Sequence, residues 1–240
     1  MADVIGQRVS GNLVYIDRGA HMRRVIDAIG PDVIKYLNDF VGGHAHTTDG
    51  LLGWVITLVE AGAGESTVTI PDVVGGALLL TTDAADNDGI NLQLDGESYE
   101  LTTDQKLTYF GIRLRSGEAT QSDFLVGLCI TDTDLLGGMT DGVYFRKVDA
   151  STSVSVVTAK DSSETETTGV LTFAADTDYT LEFFFDGSSV EFFVDGVSVA
   201  RHTLTIPDDE ALTPSIHFLS GNAAVETMQI DWIRAIQIGR

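Results

Sequence analysis

Few residues in this chain have the type and spacing that chemistry needs. Retaining glycoside hydrolysis requires two carboxylates about 5 Å apart. Glu97 and Glu100, in ESYE, lie three residues apart, which puts them on opposite faces of a strand. Glu164 and Glu166 flank Thr165 inside KDSSETETT, Lys160 to Thr168, which reads as a polar loop. Asp83, Asp86, Asn87 and Asp88 make an oxygen-rich loop, TTDAADNDG, of the kind that can hold calcium, but the spacing is not that of an EF-hand and a solvated turn accounts for it. Asp132 and Asp134, ahead of Leu135-Leu136-Gly137-Gly138, read the same way. His44, His46 and Asp49 could ligate a metal, yet two histidines in a glycine-flanked loop fall short of a zinc set. Cys129 sits inside an apolar run, FLVGLCI, and reads as core. There is no nucleophile elbow, phosphate loop or dinucleotide fingerprint. Catalytic, cofactor and metal residues are left unassigned. Tyr109, Tyr144 and Trp54 remain as aromatics that could stack on sugar.

The elements that would position such residues are strands. Tyr179 to Arg201 organises them. Asp195-Gly196 between two β-rich runs is the strongest short hairpin signal, because both residues tolerate positive φ. This turn pairs Val194 with Val197 and Phe192 with Val199. The turn Asp186 to Ser189 pairs Phe185 with Val190, Phe183 with Phe192 and Leu181 with Val194. One face of the meander is then wholly apolar and needs a second sheet to cover it. Upstream, Leu51–Val59, Ser66–Ile70, Ala77–Thr82, Ile90–Leu94, Leu107–Arg115, Phe124–Ile130, Val143–Phe145 and Val154–Thr158 are short runs separated by turn residues, the pattern of a sandwich or jelly roll.

The first 45 residues read differently. Residues 1 to 22 have no clear period. Over residues 23 to 41 apolar side chains recur at spacings of three and four, interrupted by Gly30-Pro31, and predict two short helices, the second ended by Gly42-Gly43. Four arginines (Arg8, Arg18, Arg23 and Arg24) against Asp3 and Asp17 make residues 1–24 the one basic stretch, at +2, in a chain whose net charge is −22. That charge argues against nucleic acid or an anionic membrane as partner. The lone cysteine and the absence of an apolar signal core point to a protein made in a reducing cytoplasm.

The run YTLEFFFDGSSVEFFVDGVSVARHTLTIPDDEALTPSIHFLS, followed by Glu226-Thr227-Met228-Gln229-Ile230-Asp231-Trp232-Ile233-Arg234, resembles the C-terminal half of concanavalin A-like, laminin-G-type jelly rolls, over roughly residues 85 to 240. The resemblance implies that Trp232, the aromatic of the closing strand, is core. Laminarinase-type relatives of that fold hydrolyse glycans with a Glu-x-Asp-x-Glu strand motif, which this chain lacks, so the expectation is that it is not an enzyme. In layout, and in phrases such as DGINLQLDGESYEL and DGVYFRKVDASTSVSVV, the chain is similar to virion structural proteins of tailed bacteriophages. That resemblance implies a capsid decoration or cement protein on the virion exterior, bound to the major capsid protein and oligomeric, with a trimer favoured. The expected fold is therefore all-β, a two-sheet antiparallel jelly-roll sandwich (46–240) with a short helical N-terminal arm (1–45). Arg8, Arg18, Arg23, Arg24, Ile34, Leu37 and Phe40 are the expected partner-binding residues. The alternative is a fibre or tail receptor-binding protein whose jelly roll takes host glycan.

Overall fold

The computed structural model describes residues 4–17, 24–41, 53–102 and 106–239. Among these residues every regular element is a strand. The chain runs β1 (Val4–Val9), β2 (Asn12–Asp17), β3 (Arg24–Ile29), β4 (Val33–Asn38), β5 (Trp54–Val59), β6 (Thr67–Thr69), β7 (Leu78–Thr81), β8 (Gly89–Leu94), β9 (Tyr99–Glu100) and β10 (Leu107–Ser116). It continues with β11 (Ser122–Cys129), β12 (Gly142–Lys147), β13 (Ser153–Lys160), β14 (Ser163–Thr172), β15 (Tyr179–Phe185), β16 (Val190–Val194), β17 (Val197–His202), β18 (Ala211–Ser220) and β19 (Thr227–Ile238).

Two antiparallel sheets face each other. The first has the order β17–β16–β15–β10–β19–β7–β6, and β4 shares with β7 the same edge of β19. The second has the order β14–β13–β12–β11–β18–β8–β5, with β9 against the start of β18. Phe110, Phe183, Phe185 and Phe192 from the first sheet meet Phe124, Phe145, Ile216 and Phe218 from the second in one core, with no accessible surface on any of them. Phe145 and Phe192 meet edge to face, 5.6 Å between centroids, across the gap.

The predicted meander forms. Asp195 and Gly196 both have positive φ, 50° and 78°, and Leu181, Phe183 and Phe185 oppose Val194, Phe192 and Val190 as expected. One pairing differs. A bulge between Phe192 and Phe193 sets Phe192 opposite Ala200, not Val199. A second bulge explains Trp232. On β19, Ile230 and Ile233 both face the core, which a regular strand forbids at that spacing; the register skips Asp231 opposite Arg113 and Leu114. The extra residue turns Trp232 outward, where it is half-buried with the Arg234 guanidinium 4.7 Å from its ring, so the expectation of a core tryptophan is corrected.

The helical arm is corrected too. Residues 24–29 and 33–38 are strands, joined through Gly30, Pro31 and Asp32. They misread as helix because their two faces are covered by different layers. β1, β2 and β3 form a three-stranded antiparallel sheet on the outer face of the first sheet. Val14, Ile16, Val25 and Ala28 pack there against Tyr109, Phe184, Phe193, Ile236 and Ile238. β4 enters the sandwich itself: Ile34 and Tyr36 lie on the main core, while Val33 joins the N-terminal layer. A strand with apolar residues on both faces shows no clean alternation.

An ion pair locks this layer down. Arg24 on β3 donates through Nε and Nη2 to the two carboxylate oxygens of Glu182 on β15, and Tyr109 Oη donates to the same carboxylate at 2.7 Å. Asp17 lies 3.6 Å from Arg24 Nη1. The hydrogen bond to Glu182 raises the Arg24 pKa against the cost of burial.

Candidate functional site

The outer face of the second sheet carries the polar side chains that the fold does not need for its core. Strand alternation sends Val55 and Thr57 (β5), Asn91 and Gln93 (β8), Ser215 and His217 (β18), Leu125 and Cys129 (β11), and Tyr144 and Arg146 (β12) to this side. Cross-strand register then makes rows. Thr57, Asn91, His217, Leu125 and Arg146 form one; Val55, Gln93, Ser215, Gly127 and Tyr144 form the next. Gly127 keeps the second row flat: a Cβ there would fall 2.1 Å from the Val143 carbonyl and 2.7 Å from the Tyr144 Cα.

Residues 130–141, which join β11 to β12, cross this face as a strap with no regular structure. Leu135 anchors the strap, buried against Leu125, Cys129, Tyr144, Val157 and Ala159, with Leu136 and Met139 beside it. Its first half is held by polar contacts. Asn91 Nδ2 donates to the Asp132 carbonyl at 2.9 Å, Gln93 Nε2 to the Ile130 carbonyl at 2.9 Å and to Ser215 Oγ at 2.9 Å. In return the amide of Asp132 donates to Gln93 Oε1 at 2.9 Å and that of Thr131 to Glu97 Oε1 at 2.6 Å. Between the strap and edge strand β5 lies a groove of about 370 Å³, lined by Val55, Thr57, Asn91, Gln93, Thr131, Asp132 and Thr133.

His217 lies directly beside Asn91 and is 3% exposed. Neither of its ring nitrogens has a hydrogen-bond partner, nor does Asn91 Oδ1. Burial pushes the His217 pKa down to about 4, with the nearby Asp134 pulling weakly the other way. The imidazole is therefore neutral at pH 7. A histidine whose folded pKa is depressed supports the folded state above its unfolded value of 6.5, and that support is lost as pH falls through 6.5 toward 4. The difference amounts to about 3 kcal/mol. The expected result is that the wild type loses stability between pH 6.5 and 4 relative to His217→Gln, measured as the gap between their urea midpoints across that range.

On the far side of the strap, Arg146 donates to Glu164 Oε1 and Oε2 at 3.0 and 2.9 Å and lies 3.2 Å from Glu166, while Tyr144 Oη donates to Glu164 at 2.8 Å. Lys160 to Thr168 is therefore not a loop: Asp161 and Ser162 turn the chain with positive φ, and Glu164 and Glu166 share a face of edge strand β14. The carboxylate pair that sequence dismissed does share a face. Burial pushes the Glu164 pKa up, but the hydrogen bonds from Arg146 and Tyr144 outweigh it and leave the carboxyl below its usual range. A general acid needs the opposite shift, so the pair reads as an ion network.

The other expected site residues scatter. Arg8 is on β1, reaching the Gly11 carbonyl at 3.4 Å; Arg24 is in the Glu182 pair; Ile34 and Phe40 pack in the main core; Leu37 is 40% exposed. Arg18, Arg23, His44, His46 and Asp49 lie outside the described residues. Glu97 holds the strap, and Glu100 pairs with Lys106. Asp88 is buried, accepting from the amides of Ala61 and Gly62, and among the described residues no three acidic, histidine or cysteine side chains are grouped to hold a metal. Tyr109, Tyr144 and Trp54 are all buried, so none offers a stacking face. His217, Asn91 and Gln93 were missed. The signal for them was present: polar residues alternating with core residues in GINLQL and PSIHFLS.

No protein-family model matches this sequence, and no curated protein is similar to it at the sequence level. Solved structures are. The Emp46p carbohydrate recognition domain in its metal-free form has a TM-score of 0.56 at 12% identity, covering 82% of this chain and 94% of its own. The endo-β-1,4-glucuronan lyase of the fungus Trichoderma reesei has a TM-score of 0.51 at 11% identity, covering 83% and 94%. A native glycosidic hydrolase has a TM-score of 0.56 at 13% identity, covering 84% and 94%. The chain thus shares with them a two-sheet antiparallel sandwich of the concanavalin A-like, jelly-roll kind. The expectation that it is not an enzyme is corrected. It rested on a missing Glu-x-Asp-x-Glu motif, and a lyase and a hydrolase share this sandwich, so the motif's absence excludes no activity.

Proposed function

We propose that the protein is a carbohydrate-binding or carbohydrate-active sandwich whose glycan lies in the groove beside β5. The observation that carries this reading is the row Thr57, Asn91 and His217: Thr57 and Asn91 line the groove, and behind them Asn91 Oδ1 and both ring nitrogens of the neighbouring His217 are buried without partners. Ligand sites combine a formed concavity with a few oriented polar groups. Here those groups are amides, hydroxyls and a neutral imidazole, each able to pair with a sugar hydroxyl. The two carbohydrate-named neighbours and the glycosidic hydrolase support this reading, which develops the alternative drawn from the sequence. The capsid reading relied on residues 1–45 as a helical arm carrying the partner-binding residues, and the described strands of that segment cover their own sandwich.

A glycan array followed by titration calorimetry tests the proposal. Asn91→Ala removes one groove amide, and Thr57→Phe fills the groove while leaving the strap contacts in place. Each is expected to weaken binding about tenfold, the worth of roughly one net hydrogen bond. Unchanged affinity in both variants would place the ligand elsewhere, and an array with no ligand would sink the reading.

A further inference from the structure

His217 has a built-in comparison. His202, on β17, is equally buried at 3%, and both of its ring nitrogens are satisfied, Nδ1 by Thr158 at 3.1 Å and Nε2 by Thr167 at 2.9 Å. That is how a histidine kept for structure is ordinarily housed. His217 has no such housing, and neither has the carbonyl of its neighbour Asn91. What covers them is the strap. Residues 131, 133 and 134 are exposed and irregular, ahead of the buried anchor Leu135 and of Gly137-Gly138. Three hydrogen bonds tie residues 131–134 to groups outside the strap: Asn91 to the Asp132 carbonyl, the Asp132 amide to Gln93, and the Thr131 amide to Glu97.

Resting on the groove reading above, we propose that residues 131–134 lift from the sheet about the Leu135 anchor, and that Asn91, Gln93 and His217 beneath them form an inner subsite for the hydroxyls of a neutral oligosaccharide. Lifting exchanges three backbone contacts for ligand contacts. It frees both ends of the Asn91 amide, Gln93 Oε1 and both nitrogens of the imidazole. These alternate donor and acceptor along two adjacent strands, as vicinal hydroxyls do. The ligand is neutral because Glu97, Asp132 and Asp134 border the site in a chain of net charge −22, and a uronate would meet repulsion there.

Histidine carbethoxylation by diethyl pyrocarbonate at pH 7, followed by peptide mass spectrometry on the full chain, tests the motion without a ligand. His217 is expected to react at least tenfold faster than His202, because only the strap must move to expose it. Equal rates, both limited by global unfolding, overturn the proposal whatever the array shows. The second arm adds the neutral oligosaccharide that the array selects. Protection of His217, together with at least a tenfold loss of affinity in His217→Phe, is expected. A glycan that binds with full affinity to His217→Phe and leaves His217 reactive overturns the inner subsite while the groove reading stands. An array that selects only uronates overturns the ligand class.

Discussion

Replacing Glu182 by glutamine is expected to release the N-terminal layer from the sandwich at a cost of about 3 kcal/mol, because removing one partner of a buried ion pair strands the other. Glu182 is 2% exposed, and it accepts from Arg24 through both carboxylate oxygens and from Tyr109. A glutamine has one acceptor where the guanidinium needs two, and it carries no compensating charge. The figure belongs at the lower end of the range for broken buried pairs because Arg24, 25% exposed, can recover some water and keeps Asp17 at 3.6 Å. Tyr109→Phe removes only one hydrogen bond and is expected to cost about 1 kcal/mol. Limited proteolysis reads the result: cleavage within residues 4–29 should accelerate on the order of a hundredfold in Glu182→Gln, while the sandwich fragment stays intact. An unchanged cleavage rate would mean that the apolar contacts of Val14, Ile16, Val25 and Ala28 hold the layer unaided.

The second large effect is expected at Lys147. This lysine is fully buried at the end of β12, and its ammonium donates to the carbonyls of Ser122 and Thr120. Asp123, Glu118, Asp149 and Glu226 surround it. Burial lowers its pKa and those four carboxylates only partly restore it. Lys147→Met therefore relieves one buried charge and strands several, and the second effect wins because it also leaves two carbonyls without a donor. The net loss is expected to be about 3 kcal/mol at pH 7 by urea unfolding. The pH dependence identifies the cause. Burial already raises the Asp123 pKa, and a carboxylate with a raised folded pKa gains stability as pH falls toward it. The deficit of Lys147→Met should shrink as pH is lowered from 7 toward the raised Asp123 pKa. A deficit independent of pH would point to lost packing, not to uncompensated charge.

The contrast between the two ends of the chain explains what the sequence could convey. Around Asp195-Gly196 the turn residues and the two-residue period agree, and both the hairpin and the register from Leu181 to Val194 were legible. A bulge shifts the two-residue period without a turn residue to mark where, so the shift at Phe192 and the outward turn of Trp232 were not. In residues 24–38 two different layers cover opposite faces of neighbouring strands, and the resulting run of apolar residues imitates a helix. The glutamates of β14 looked like loop because an edge strand facing water has little apolar content to alternate. The candidate site was hidden for a related reason. Asn91, Gln93 and His217 look like the polar side of half-buried strands, and only the strap from another part of the chain gives them a common enclosure.

The places of β18 and β19 set an order on folding. Each is the inner strand that joins the two halves of its sheet: β18 sits between β11 and β8, and β19 between β10 and β7 with β4. During synthesis neither sheet can close until residues 211–238 have cleared the ribosome. Until then β11 and β10 each present an unpaired backbone edge beside uncovered core residues such as Phe124 and Phe110, the exposure that favours edge-to-edge association. Most of the closing contacts join residues far apart in sequence, and topologies of this kind fold slowly. The nascent chain should therefore be held by chaperones for longer than its size alone suggests, and its acidic surface, at −22, helps keep such open chains apart.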